Sequence, residues 1–259
     1  MHIVRFQHGD AAAIGLLEDG LVYEAQGDLF GDLTRGTAVG PLENIPLLSP
    51  VRPSKLVAIG LNYLDHLTED AADFKTPESP IIFLKPPSSI IGHGVNIVYP
   101  DGPEHVDSEG ELAVVIGRRA HYVRAESVDD YILGFVCSND VSARDYQFKD
   151  GQWVRAKGFD TFSPIGPAIA TGISASDNLL LTTRLNGEVR QQSGTDMLLF
   201  GVPALIEFIS RVMTLEPGDV IMTGTPAHPP QMAIGDVVEI EIERVGTLRN
   251  QVVAEERPA

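Results

Sequence analysis

Between Val106 and Gly117 the chain reads Val-Asp-Ser-Glu-Gly-Glu-Leu-Ala-Val-Val-Ile-Gly, an apolar run closed by a glycine and entered through two glutamates. Such a run predicts a buried strand. Side chains alternate along a strand, so Glu109 and Glu111 fall on one face, about 7 Å apart along the chain. Two carboxylates leading into a core strand repel each other and lose hydration, an arrangement that is unstable unless a proton or a cation lies between them. A second apolar strand, Tyr131 to Ser138, ends in Asn139-Asp140 and offers a third carboxylate. Three acidic oxygen ligands with no cysteine or histidine among them suit a hard divalent cation, Mg²⁺ or Mn²⁺, better than zinc. Two glutamates on an exposed strand edge would carry the same spacing, and the E-x-E pattern alone leaves that reading open.

The chain has 259 residues, enough for one large domain or for one plus a small appendage. With 43% hydrophobic and 21% charged residues it has the composition of a soluble globular protein. No apolar run approaches the ~20 residues of a membrane span, and Met1-His2-Ile3-Val4-Arg5-Phe6 lacks the layout of a secretory signal, so a cytoplasmic protein is expected. The single cysteine, Cys137, excludes an internal disulfide and reads as a packed thiol. A net charge of −17 argues against a nucleic-acid partner. An anionic substrate would then need local positive charge, for which Lys85, Arg144, Arg155 and Lys157 are candidates.

Residues 1–52 read as a small β-rich domain, with Asp19-Gly20 as a hairpin turn and Pro41, Pro46, Pro50 and Pro53 marking a linker. The second domain, 53–259, restarts with a strand at Lys55 to Ile59. Asn62 then stands near the cap of a short helix on which His66 and Glu69 are neighbours. A carboxylate beside an imidazole fixes its tautomer and raises its basicity, which builds a water-activating base; an ordinary polar helix face fits equally. Ser127 reads as a helix start, and Arg144 and Gln147 share a face if their segment is helical. The glycine-, proline- and aromatic-rich stretch Trp153 to Pro167 reads as a long structured loop carrying Lys157. Further on, Asn186-Gly187 signals a hairpin, and Leu205, Phe208, Ile209, Val212 and Met213 an amphipathic helix ended by Pro217-Gly218. Val238, Ile240 and Ile242 alternate inward with Glu239, Glu241 and Glu243 outward.

Taken together, Gly60-Leu61-Asn62-Tyr63-Leu64-Asp65-His66-Leu67-Thr68-Glu69, Phe83-Leu84-Lys85-Pro86, Glu109-Gly110-Glu111, Asn139-Asp140-Val141-Ser142-Ala143-Arg144-Asp145, Lys157-Gly158-Phe159-Asp160 and Thr223-Gly224-Thr225-Pro226 form an ordered series. In it the chain resembles the fumarylacetoacetate hydrolase family, among its small acylpyruvase-like members, over residues 55 to 253. The resemblance implies an α+β, mostly β fold: a layered, mixed β-sheet and barrel-like catalytic core with few helices, behind a small β-rich N-terminal domain. It implies Glu109, Glu111 and Asp140 as ligands of Mg²⁺ (or Mn²⁺), His66 and Glu69 as a catalytic dyad, and Lys157 as a catalytic cation. Arg144, Gln147, Gly224 and Thr225 match positions that bind substrate, and a homodimer is the family's habit. Where many members have a glycine-containing turn after Gly-Thr-Pro, this chain has Ala227-His228-Pro229-Pro230, whose histidine reads as a solvated loop residue.

The activity this implies is Mg²⁺-dependent cleavage of a carbon–carbon bond in a small anionic 2-oxo acid, through a metal-bound pyruvate enolate. Acylpyruvate or fumarylacetoacetate-type hydrolysis and oxaloacetate-type decarboxylation share that intermediate. An isomerase/decarboxylase of homoprotocatechuate-type aromatic catabolism is the alternative within the family. A non-catalytic metal-dependent binding protein is the alternative outside enzymology, and the presence of both the carboxylates and the dyad argues against it.

Overall fold

The computed structural model describes residues 1–65 and 76–256, and the fold is mostly β with few helices. Its backbone is a 12-stranded sheet. The path runs Leu33–Pro41, Leu21–Gly27, Ala11–Glu18, His2–His8, Ser163–Ala170, Ile132–Asn139, Gly110–Ile116, Val220–Met222, Leu56–Gly60 and Ile81–Lys85. Leu47–Leu48 and Ile90–Ile91 attach at its sides. The first four strands are thus continuous with the central sheet, through the pairing of His2 with Ala170 and Ile3 with Ile169. A five-stranded sheet packs against it, in the order Glu188–Gly194, Leu180–Leu185, Val237–Ile242, Gly246–Ala254 and Ile97–Tyr99.

Gly110–Ile116 is buried at every position, because it lies between Ile132–Asn139 and Val220–Met222 and is covered on both faces. Leu112, Val114 and Ile116 join the core shared with Leu181, Ile240, Ile242 and Leu248 of the second sheet. Ala113 and Val115 point the other way, into a separate cluster with Leu56, Ala58, Val220 and Met222. Alternation carries Glu109 and Glu111 to the face of Ala113 and Val115. Gly110 faces the second sheet so closely that a Cβ would stand 2.1 Å from Thr183 Oγ1. A glycine between the glutamates is what lets the layers approach there.

The hairpins fall where the turn residues predict. Asp19 and Gly20 (φ 49° and 79°), like Asn186 and Gly187 (54° and 84°), are both left-handed, the geometry that matches the twist of the flanking strands. The amphipathic helix is Val202–Val212, with Leu205, Ile206 and Ile209 buried. It ends earlier than Pro217-Gly218 suggests, because Leu215 leaves to exchange backbone hydrogen bonds with Ala120. The helix expected at Ser127 is a 3₁₀ segment, Ala125–Tyr131. The proline-rich stretch after Pro41 is tied down rather than free, since Leu47 and Leu48 pair with Phe6 and Arg5. Trp153 to Pro167 is no loop: Val154–Lys157 is a single helical turn, and Ser163–Ala170 is a strand despite two prolines. Its pairings skip irregularly along Ile132–Asn139, which accommodates residues that a regular ladder would reject. Among the described residues no helix is long and apolar enough to cross a membrane.

Cys137 lies in the core, and burial pushes its thiol up to about 12. The folded chain therefore holds that proton above the ordinary thiol range, and stability falls as pH rises from about 9 toward 12, where only the unfolded chain ionises. A disulfide-exchange reagent at mildly alkaline pH should leave the native protein unmodified and titrate one thiol after denaturation.

Candidate active site

Two strands bring three acidic groups to one point. Glu109 and Glu111 stand at the entrance of the central strand, and Asp140 follows the end of its neighbour Ile132–Asn139. The two chain ends are locked together: Asp140 N–H donates to Glu109 O at 2.9 Å, and Glu109 N–H donates to Asn139 Oδ1 at 3.0 Å. One ligand oxygen from each of Glu109, Glu111 and Asp140 lies within 4.8 Å of the other two, and all three residues are buried.

Cations answer most of this charge. Lys157, the last residue of its helical turn, places Nζ 2.8 Å from Glu109 Oε2, 2.6 Å from Asp140 Oδ2 and 2.7 Å from Ser142 Oγ. Burial acts to lower its pKa, but Asp140 and Glu109 outweigh it and hold the ammonium above its ordinary value. Lys85 ends its strand against Asp140 and donates to Phe162 O at 2.7 Å. Burial lowers the pKa of Lys85 in spite of Asp140. Arg144 opens the helix Arg144–Asp150; its Nε donates to Asp107 Oδ2 at 2.6 Å, Nη1 to Gln147 Oε1 at 2.7 Å, and Nη2 to Glu109. His105 Nε2 lies 2.7 Å from the other Asp107 oxygen.

Glu111 is the exception. It accepts one bond, from Gly224 N–H at 2.7 Å, and forms no ion pair among the described residues. Burial, then repulsion from Asp140 and Glu109, pushes its carboxyl well above the usual range. Gly224 sits at φ 104°, a conformation closed to most side chains, and a Cβ there would meet Asn62 Cβ at 2.9 Å. Asn62 in turn donates to Thr223 O at 2.7 Å, so the 223–225 loop is held on both sides. Phe83, Trp153, Gly60 and Leu61 complete the wall of a cavity of about 40 Å³, room for an ion or a water. Gly60 is obligatory in that wall, since a Cβ would stand 2.3 Å from the Trp153 ring.

Of the residues singled out in the sequence, Glu109, Glu111, Asp140, Arg144, Gln147, Lys157 and Thr225 line this one cavity, and Gly224 contacts Glu111 behind it. His66 and Glu69 lie outside the described residues. Arg155 is elsewhere: it is exposed, pairs with Asp150 at 2.5 Å and stacks its guanidinium 4.0 Å over the Tyr146 ring. His228 is exposed on its loop. Lys85 is a buttress of Asp140 rather than a free anion-binding cation. Sequence reasoning passed over Asp107, Ser142 and Gln191. Asp107 stands two residues before Glu109, on the same face by strand alternation, and that spacing is the signal that could have found it.

The profile described as fumarylacetoacetate (FAA) hydrolase C-terminal matches residues 55–253, and one described as Rv2993c-like, N-terminal, matches residues 1–50. The mitochondrial oxaloacetate tautomerase Fahd2a of Rattus norvegicus is 42% identical over 82% of this chain and 71% of its own length. The crystal structure of a 5-carboxymethyl-2-hydroxymuconate delta-isomerase from Mycobacterium smegmatis superposes with a TM-score of 0.90 at 43% identity, covering 98% of this chain and 100% of that one. A maleylpyruvate hydrolase from Sphingobium sp. SYK-6, in complex with manganese(II) and pyruvate, superposes with a TM-score of 0.83 at 29% identity, covering 99% and 100%.

Gly224→Ala should destabilise the protein by about 1–3 kcal/mol, the scale of a strained backbone position, read from urea denaturation. Thr223→Ser, which keeps the bonds to Leu112 and leaves Gly224 in place, should stay near wild type.

Proposed function

The chain belongs to the fumarylacetoacetate hydrolase family, and on that premise we propose that it is a divalent-metal enzyme that breaks the C3–C4 bond of small 2-oxo acids. In an acylpyruvate the bond yields to hydrolysis, and in oxaloacetate to loss of CO₂. Either way the electron pair moves into the enolate of pyruvate. The observation that carries this reading is Glu111: a buried carboxylate that forms no ion pair among the described residues, in a triad whose ligand atoms lie within 4.8 Å. All-oxygen donors of this kind fit Mg²⁺ or Mn²⁺.

In this proposal Glu109, Glu111 and Asp140 hold the cation, which when bound supplies Lewis-acid stabilisation of charge developing on the substrate's 2-oxo oxygen. The remaining work falls to the chain. Lys157, charged at neutral pH, sets a second positive group where the oxyanion grows. Arg144 holds the Glu109 carboxylate in one orientation while Asp107 holds Arg144. Gln147, Gly224 and Thr225 provide the polar side against which the acid is oriented. Phe83 and Trp153, edge to face at 5.1 Å, keep the opposite wall apolar. His66, oriented by Glu69, takes a proton from the attacking water in the hydrolytic reaction. The proposed partners are a small 2-oxo acid anion and a second copy of the chain.

Tautomerisation or isomerisation is a second reading, favoured by the names of the rat and M. smegmatis relatives. It passes instead through the enolate of the intact substrate, formed by moving a proton from C3 to the 2-oxo oxygen, with no carbon–carbon bond broken. Purified protein with Mg²⁺, offered acetylpyruvate and oxaloacetate, separates the readings. Pyruvate release above the metal-only rate supports cleavage, whereas faster loss of the ultraviolet enol absorbance with no pyruvate supports tautomerisation. Neither signal would count against both.

Two variants test the roles. Glu111→Ala should lose Mg²⁺ binding in calorimetry while keeping a wild-type circular dichroism spectrum, and stoichiometric binding retained would remove the triad from the metal site. His66→Ala should bind Mg²⁺ normally and lose hydrolytic turnover by about 10²–10⁴-fold, the usual range for a general base; an unchanged kcat would exclude the dyad.

A further inference from the structure

Gln191 stands on Glu188–Gly194, the outer strand of the five-stranded sheet, between Arg190 and Gln192, which are both exposed. Its own side chain is 1% exposed. An amide buried at the edge of a sheet is destabilising unless its polar atoms are bonded. Here they are. Oε1 accepts from Gly110 N–H at 3.2 Å, and Nε2 donates to Thr225 Oγ1 at 2.9 Å, to Pro226 O at 2.7 Å and, more weakly, to Ala227 O at 3.3 Å.

The bonds close a ring. The Thr225 hydroxyl donates to Gly110 O at 2.9 Å, so the one residue between the two glutamates is tied at its N–H to Gln191 and at its carbonyl to Thr225. Gln191 joins those two tethers to each other. The second sheet thereby fixes the distance between the carboxylate strand and the Thr225–Ala227 loop. That loop runs on into Ala227-His228-Pro229-Pro230.

We propose that Gln191 is a positioning residue for ligand binding: acting through Thr225, it sets where a bound 2-oxo acid lies relative to the carboxylate triad. The inference rests on the reading of the cavity given above. It separates Gln191 from the metal ligands, because its bonds reach the backbone of Gly110 and the Thr225 loop and none reaches a carboxylate.

The test is a double-variant cycle read by calorimetry, with Mg²⁺ alone and then with oxalate on the Mg²⁺-loaded protein. Gln191→Met and Thr225→Val should each weaken oxalate by about tenfold, the factor for one lost hydrogen bond of about 1.4 kcal/mol. The double variant should bind oxalate no more weakly than Thr225→Val, and Mg²⁺ affinity should stay within about twofold throughout. Losses that multiply, or Mg²⁺ affinity that falls in step with oxalate, would overturn the proposal by making Gln191 a general prop of the strand. Oxalate bound equally by wild type and Gln191→Met would also overturn it, leaving the metal-site reading intact. Wild-type protein that binds no oxalate would overturn both. Should Gln191→Met fail to fold, Gln191→Asn keeps an uncharged amide one methylene short of Thr225 and carries the same cycle.

Discussion

Four carboxylates, Asp107, Glu109, Glu111 and Asp140, are buried within one small region, and the structure tolerates them because three cations are nearly as deeply buried beside them. Taking an isolated charge out of water is prohibitive, whereas a paired and hydrogen-bonded one is sustainable. Lys85 comes from the strand Ile81–Lys85, Lys157 from a one-turn helix, and Arg144 from the first position of another helix. Each of those elements delivers its cation to the same point, so the charges around the triad are mutually dependent. Removal of one partner from such a network typically costs about 3–5 kcal/mol, because a buried charge is left alone.

The network stops one charge short. Glu111 meets a backbone N–H and two neighbouring carboxylates, and its proton affinity rises accordingly. A site that suppresses ionisation of a buried carboxylate while aligning two others on the same point favours a hard cation, and the manganese-bearing relative is of the same fold. In a protein of net charge −17, Lys157 and Arg144 are the cations that line this cavity, each already paired with carboxylates beside it.

The frame that makes this possible is the central sheet. Gly110–Ile116 is paired along its length with Ile132–Asn139 and from Ala113 to Val115 with Val220–Met222, and is covered on both faces, so the carboxylates at its entrance stand on a buried frame. Such pre-organisation suits electrostatic stabilisation, which depends on dipoles and charges that need not reorganise during reaction. Gly110 contributes by absence of a side chain: the close approach to Thr183 brings the second sheet near enough for Gln191 to reach the strand.

Much of the fold was legible along the chain. Strict alternation at Val238–Glu243 and paired left-handed turn residues at Asn186-Gly187 are local signals, and local signals survive into the structure because backbone sterics enforce them. The strand from Ser163 to Ala170 was hidden, since glycine and prolines argue for a loop and only its pairing with Ile90–Ile91, Ile132–Asn139 and His2–His8 makes it a strand. The site divides the same way. Glu109, Glu111 and Asp140 were visible as carboxylates at strand ends, because a charge at the mouth of an apolar run is conspicuous in any frame. That Lys85 serves Asp140, that Asp107 holds Arg144, and that Gln191 bolts one sheet to the other were not. These contacts join residues 55, 37 and 81 positions apart in the case of Lys85–Asp140, Asp107–Arg144 and Gly110–Gln191. The sequence by itself determined which groups could not be buried unpartnered; only tertiary packing decided which partner each received, since pairing energy depends on distances that no local pattern encodes.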